Sequence, residues 1–186
     1  HIAMGMAVAE PPALLEALAA RVVAGALGDL KLWYLHALAH AGSTLLRREL
    51  LDRVRPHSMF LSSVERALIA QDPRLVEFVP VAFSQTPQLL AEHVPLDSFI
   101  TPVSPMDRHG WFTFGTSNDY STTAARSAKR LIVEVNPEMP RVFGESLLHV
   151  SEVDAIVENR APLQEISAGT PSAEELAIAT QIAAMI

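Results

Sequence analysis

The sequence predicts an α/β fold built on an open, mostly parallel sheet flanked by helices, with one antiparallel hairpin excursion. Three observations carry that prediction. Apolar runs of strand length recur along the 186 residues and alternate with segments of helical periodicity. Ser-x-x-Glu and Thr-Pro signals stand where strand gives way to helix. Apolar residues make up 49% of the chain and charged residues 19%, so a single domain over 1–186 with a sizeable core is expected.

Taken in order, Ile2 to Met6 reads as a short buried strand, and Pro11-Pro12 opens a helix to about Ala26 with Leu14, Leu15, Leu18, Val22 and Val23 on one face. Leu30 to Leu38 and Ser58 to Leu61 are the next strands, the second followed by the capping box Ser62-Ser-Val-Glu65. Val76 to Phe83 is a further strand, and Ser84-Gln-Thr-Pro87 leads into the helix at Leu89-Leu90-Ala91. Ser98 to Val103 and Trp111 to Phe114 are expected to pair as a hairpin across Pro105 to Gly110, with Gly110 at a left-handed turn position. Asp119 to Arg130 is helical, Leu131 to Val135 is a buried strand, and Leu147 to Val150 and Ala155 to Val157 are short strands.

Both ends read as cut. His1 enters an apolar strand with no polar lead-in, and Ser172-Ala-Glu-Glu175 caps a helix whose Leu176, Ile178, Ile182 and Ile186 run on without a glycine stop. Missing neighbours are therefore expected at the Ile2 strand and along the Ile178, Ile182 and Ile186 face. The formal net charge of −7 lacks the basic footprint of nucleic-acid binding. With no cysteine, disulfides, zinc ribbons and thiolate chemistry are excluded. No run approaches the roughly 20 uninterrupted apolar residues of a membrane span, and no secretory signal is read, so a cytoplasmic protein is expected.

Ligands of parallel sheets bind beyond the carboxyl ends of the strands, and four turns qualify: Gly5 to Pro11, Ser62-Ser63, Ser84 to Pro87 and Gly115 to Asp119. Gly5, Ser84, His109 and Ser117 are expected to surround one crevice. The polar run Ser104 to Tyr120 sets Ser, Asp and His side by side, but no Gly-x-Ser-x-Gly elbow supports a serine-hydrolase triad. His36 and His40 lack the glutamate of a helical metal motif, so no metal site is expected. Trp111, Phe112 and Phe114 read as packing, and Arg126 with Arg130 as a solvated pair.

Ser104-Pro-x-Asp-x-His-Gly followed by Gly115-x-Ser-x-Asp-Tyr120 resembles the acetyl-CoA hydrolase/transferase family. The block from Glu134 to Asp154 is similar to that family's next region, and Gly5 to Leu18 to its first strand-turn-helix, although one glycine stands where relatives often have more. The resemblance covers essentially the whole chain and implies a CoA-transferase-like fold made of two similar halves, of which this is the N-terminal one, with the C-terminal half absent. It implies transfer of coenzyme A between an acyl-CoA and a small carboxylate through a glutamyl-CoA thioester. No glutamate here matches the nucleophile, so no catalytic residue is assigned and the segment alone is expected to be inactive. Gly5, Glu10, Ser104, His109, Gly110, Ser117 and Asn118 are assigned to one wall of the acyl pocket. His109 is expected mainly to fix the Pro105 to Gly110 turn through its ring. No tightly bound cofactor is expected, coenzyme A being substrate; the partners are the acyl-CoA, the carboxylate, the C-terminal half and further copies in a homo-oligomer. An acyl-CoA hydrolase is the alternative enzyme, and a non-catalytic binding module of the same fold is the alternative of another class.

Overall fold

The computed structural model describes residues 1–165 and 169–186. Its strands are β1 (Ile2–Met4), β2 (Leu30–Tyr34), β3 (Val54–Ser58), β4 (Glu77–Phe78), β5 (Ser98–Val103), β6 (Trp111–Thr113), β7 (Leu131–Val135), β8 (Leu147–His149) and β9 (Ala155–Glu158). Seven of them form one sheet in the order β4-β3-β2-β1-β5-β7-β9, with every neighbouring pair parallel. The helices are α1 (Pro12–Val23), α2 (Ala39–Ser43), α3 (Ser63–Gln71), α4 (Thr86–Gln88, running on as a π-turn over Leu89–His93), α5 (Ser121–Ser127) and α6 (Ala173–Ala183).

Side chains on a strand point to alternate faces, so Ala3 and Met4 enter different cores. Met4 joins Leu15, Leu32, Tyr34, Leu45 and Ile100 beneath α1 and α2. Ala3 joins Leu90, Phe99, Phe112, Tyr120 and Val133 beneath α5 and the π-turn. Each fully buried leucine or phenylalanine contributes about 1.5–3 kcal/mol. β1 lies between β2 and β5 with Ala3 and Met4 fully buried, so the missing neighbour expected at Ile2 is not missing. By contrast α6 is exposed along its whole length, including Leu176, Ile178 and Ile182.

Several boundaries move. β3 precedes the expected Ser58 to Leu61 run; Pro56 is tolerated because β4 pairs only from His57 onward, leaving the proline outside that ladder. The Val76 to Phe83 strand shrinks to two exposed residues at the sheet edge. The expected β5–β6 hairpin is absent, because β5 is occupied on both edges by β1 and β7. The antiparallel excursion is instead β6 with β8, Trp111 opposite His149 and Phe112 opposite Leu148.

Candidate functional site

Chain order reverses between β1 and β5, since β2 to β4 extend to one side of β1 and β5, β7 and β9 to the other. The crevice at such a switch point, beyond the strands' carboxyl ends, is where open α/β sheets bind ligands. Gly5 leaves β1 there and donates its N–H to Ile100 O on β5 at 3.0 Å. A Cβ at Gly5 would stand 2.2 Å from Ala9 O and 2.9 Å from Thr101 Oγ1, so the absent side chain lets the turn at Ala7–Ala9 fold back onto β5. From the other face Tyr120, fully buried, donates its hydroxyl to Met4 O at 2.7 Å. That bond ties Tyr120, which follows the Gly115 to Asp119 loop, to the end of β1.

Glu10, 1% exposed, ends the same β1 turn. Its carboxylate accepts from Leu38 N at 2.6 Å and from Gln164 Nε2 at 3.5 Å. Burial pushes its pKa up to about 8, the opposing backbone N–H of Leu38 being the smaller influence. Glu134, fully buried on β7, accepts from Leu14 N at 3.0 Å and from Asn159 Nδ2 at 2.6 Å, so it caps α1, whose own N-cap residue Pro11 cannot. Burial raises the Glu134 carboxyl as well. Residues 161–165 cross the crevice here: Asn136 Nδ2 donates to Ala161 O at 2.8 Å, and Pro162, Leu163 and Gln164 meet Val8, Glu10 and Pro102 around a cavity of about 10 Å³, the room of one water.

The polar run after β5 is held differently. Ser104 Oγ, buried, accepts from Thr113 N at 3.0 Å and Thr113 Oγ1 at 3.2 Å, and donates to Pro105 O at 3.2 Å. Asp107 Oδ1 accepts from the N–H groups of His109 and Trp111, both at 2.9 Å, and Oδ2 pairs with Arg141 at 2.7 Å. The Trp111 N–H, more than Arg141, holds the Asp107 carboxyl below its usual range. Asp107 therefore fixes this turn, correcting the role expected of His109, whose exposed ring meets Arg108 Nε at 3.0 Å. Gly110 has φ +85° and its carbonyl accepts from Val150 N, bringing the turn to β8. Asn118 donates to Glu145 O at 3.3 Å and accepts from Thr122 Oγ1.

Of the four residues expected around one crevice, the structure links Gly5 to the Ser117 loop through Tyr120. Ser84 follows β4 at the sheet edge, with β2 and β3 between that strand and β1, and His109 lies on the outer side of the Asp107 turn. The residues missed were Tyr120 and Glu134. Tyr120 stood inside the quoted motif, but nothing in its spacing announced a hydroxyl bond to residue 4. Among the described residues no group of three His, Asp or Glu side chains is placed to hold a metal ion. Among the described residues Ser104 Oγ is engaged by Thr113 and Pro105 and by no histidine ring, so nothing here activates it as a nucleophile.

Residues 1–165 match the profile of the acetyl-CoA hydrolase/transferase N-terminal domain. The chain is 32% identical over 181 residues to the succinyl-CoA:cyclohexane-1-carboxylate CoA transferase of Geobacter metallireducens, covering 97% of this chain and 40% of that protein. It is 34% identical over 152 residues to the 4-hydroxybutyrate coenzyme A transferase of Clostridium kluyveri, covering 81% and 35%. The crystal structure of RipA from Yersinia pestis matches with a TM-score of 0.95 at 50% identity, over 100% of this chain and 44% of that one. The chain thus spans less than half the length of these relatives.

Proposed function

The chain belongs to the acetyl-CoA hydrolase/transferase family, and from that premise we propose that it forms the N-terminal half of an enzyme moving coenzyme A between an acyl-CoA and a small carboxylate. The observation that carries this reading is the pairing of a family match over 1–165 with CoA-transferase relatives of which the chain covers 40% and 35%. In the proposed reaction a glutamate of the other half attacks the thioester carbonyl and expels the CoA thiolate, leaving an acyl-glutamyl anhydride. The thiolate then attacks the glutamyl carbonyl and expels the first carboxylate, and the resulting glutamyl-CoA thioester passes CoA to the second acid by the reverse steps.

This half supplies the wall at the switch point. Gly5, Ser117 and Asn118 face the acyl group in this reading, Ser104 and Gly110 shape the turn beside it, and His109 closes its outer rim. Glu10 supports the β1 turn from below. Water in place of the second acid would make the same thioester a hydrolase intermediate, and the family's name covers both outcomes. In this reading the full-length enzyme is a cytoplasmic homo-oligomer. Among the described residues no helix is long and apolar enough to cross a membrane.

The test is acid-dependent exchange of CoA from acetyl-CoA by the full-length protein, with CoA release into water measured in parallel. Exchange that needs an acceptor acid supports the transferase, and release without one supports the hydrolase. Turnover by residues 1–186 alone would reject the division of the site between two halves.

A further inference from the structure

The seven-stranded sheet ends on two edges, β4 and β9, and they are not alike. β4 is blunted: it has two residues, one of them Glu77, and the segment before it carries Pro73 and the Asp72–Arg74 ion pair. β9 has four residues, opens with Ala155-Ile-Val157, and contains no proline or lysine. Ile156 is 46% exposed, and among the described residues no strand pairs with the outer side of β9. A bare apolar edge of this kind is a template for a further strand.

The register with β7 fixes which groups that edge offers. Val157 lies opposite Glu134, and Asn159 donates its N–H to Val135 O at 2.9 Å. Backbone groups alternate in direction along a strand, so Ala155, Val157 and Asn159 bond inward to β7 while the N–H and C=O of Ile156 and Glu158 point outward. Opposite charges stand at the two ends of this edge. Asp154 is held at its head, Oδ2 accepting Leu131 N at 2.7 Å. Arg160 is exposed just past its tail and, among the described residues, is in no ion pair.

We propose that β9 is a self-pairing edge: a second copy of the chain adds its own β9 antiparallel to it, about a two-fold axis at Val157. Charge selects both this occupant and this register. Pairing about Val157 sets Ile156 against Glu158 of the other copy, uses the outward backbone groups of both residues, and brings Asp154 of each copy to Arg160 of the other, twice by symmetry. The neighbouring registers that use the same groups fail on charge. Pairing about Ile156 sets Asp154 against Glu158, and pairing about Glu158 sets that carboxylate against its own copy. The proposal rests on the homo-oligomer of the reading above and on none of its CoA chemistry.

The experiment is sedimentation of the full-length protein over a dilution series, with melting followed to confirm folding, and disulfide trapping under mild oxidation. Arg160→Glu turns two attractive contacts into repulsive ones and should weaken association about tenfold. Ile156→Pro removes an outward N–H while sparing the β7 ladder, and should release the copies from one another. These 186 residues contain no cysteine, so Val157→Cys places one new thiol beside its own copy. Facing residues that exchange no hydrogen bonds stand about 4.5 Å apart at Cα, within disulfide reach, so a cross-linked dimer is expected that the unsubstituted protein does not form. Ile156→Cys, two residues out of step with its own copy, should not cross-link. An oligomer that Arg160→Glu and Ile156→Pro leave unchanged and Val157→Cys does not trap overturns the β9 pairing while the homo-oligomer stands; a monomer at every concentration overturns both. If Ile156→Pro does not fold, the two cysteine variants decide: equal trapping, or none, rejects the proposal. CoA exchange on the same samples tests the chemistry separately.

Discussion

Asp107 and Glu10 both brace a turn at the carboxyl edge of the sheet, and their surroundings treat the same chemical group in opposite ways. Asp107 is partly exposed to solvent, receives two backbone N–H groups and pairs with Arg141. Glu10 is closed off, with one strong backbone donor and another acid nearby. The first carboxyl is held below its usual range and the second is lifted far above it. A turn braced by an exposed anion tolerates change around it, whereas one braced beneath a buried, cation-free cluster has its conformation set by packing.

The sharpest break in that comparison is Gly5→Ala. Its Cβ would meet the Ala9 backbone oxygen at 2.2 Å, an overlap no rotamer relieves, so a loss of about 3 kcal/mol is expected in urea unfolding. Gly28→Ala, with nothing within 4 Å of its Cβ, is the control and should stay within about 0.5 kcal/mol. A small change at Gly5 would show that the β1 turn is not close-packed.

Next comes the pH dependence. A folded-state pKa of about 8 against an ordinary 4.5 means that the native state keeps a proton the unfolded chain gives up. Stability should therefore fall as pH rises through that window and level off above it, with a slope of up to about 1.4 kcal/mol per unit from this group. Glu10→Gln should remove this part of the slope in a Tm series. Asp107 has the opposite sign: its contribution is present above the ordinary carboxylate range and is lost as pH falls through its lowered pKa. Asp107→Asn should consequently flatten the acid side of the curve and leave the alkaline side alone. Slopes of the same sign for both variants would refute the contrast.

Ser104→Ala should cost about 1–3 kcal/mol by equilibrium unfolding, because it leaves the buried Thr113 N–H without its acceptor. The smallest effect belongs to His109→Ala, which leaves both backbone donations to Asp107 in place and should shift stability by no more than about 0.5 kcal/mol. A large drop in Tm there would return the turn to the His109 ring.

Local chemistry made much of the fold legible. The Ser62-to-Glu65 box caps α3 and the Ser172-to-Glu175 box caps α6, because each satisfies orphan N–H groups with side chains three residues apart. Gly110 was readable for the same kind of reason: its turn needs φ of +85° within a few residues. Candidate turns at Gly5 and Ser117 followed from strand endings alone, but the bond that joins them spans 116 residues.

What the sequence by itself determined was the α/β class, the alternation of strands and helices, the local caps and the family, since each is written in periodicity or in short motifs. Which strand pairs with which was decided by tertiary structure: β6 leaves β5 for β8 because both edges of β5 are taken. The charge state of Glu10 was decided in the same way. Glu10 and Asp107 are both ordinary acids as letters, and only the assembled molecule sets one among buried acids and the other beside Arg141 and open water.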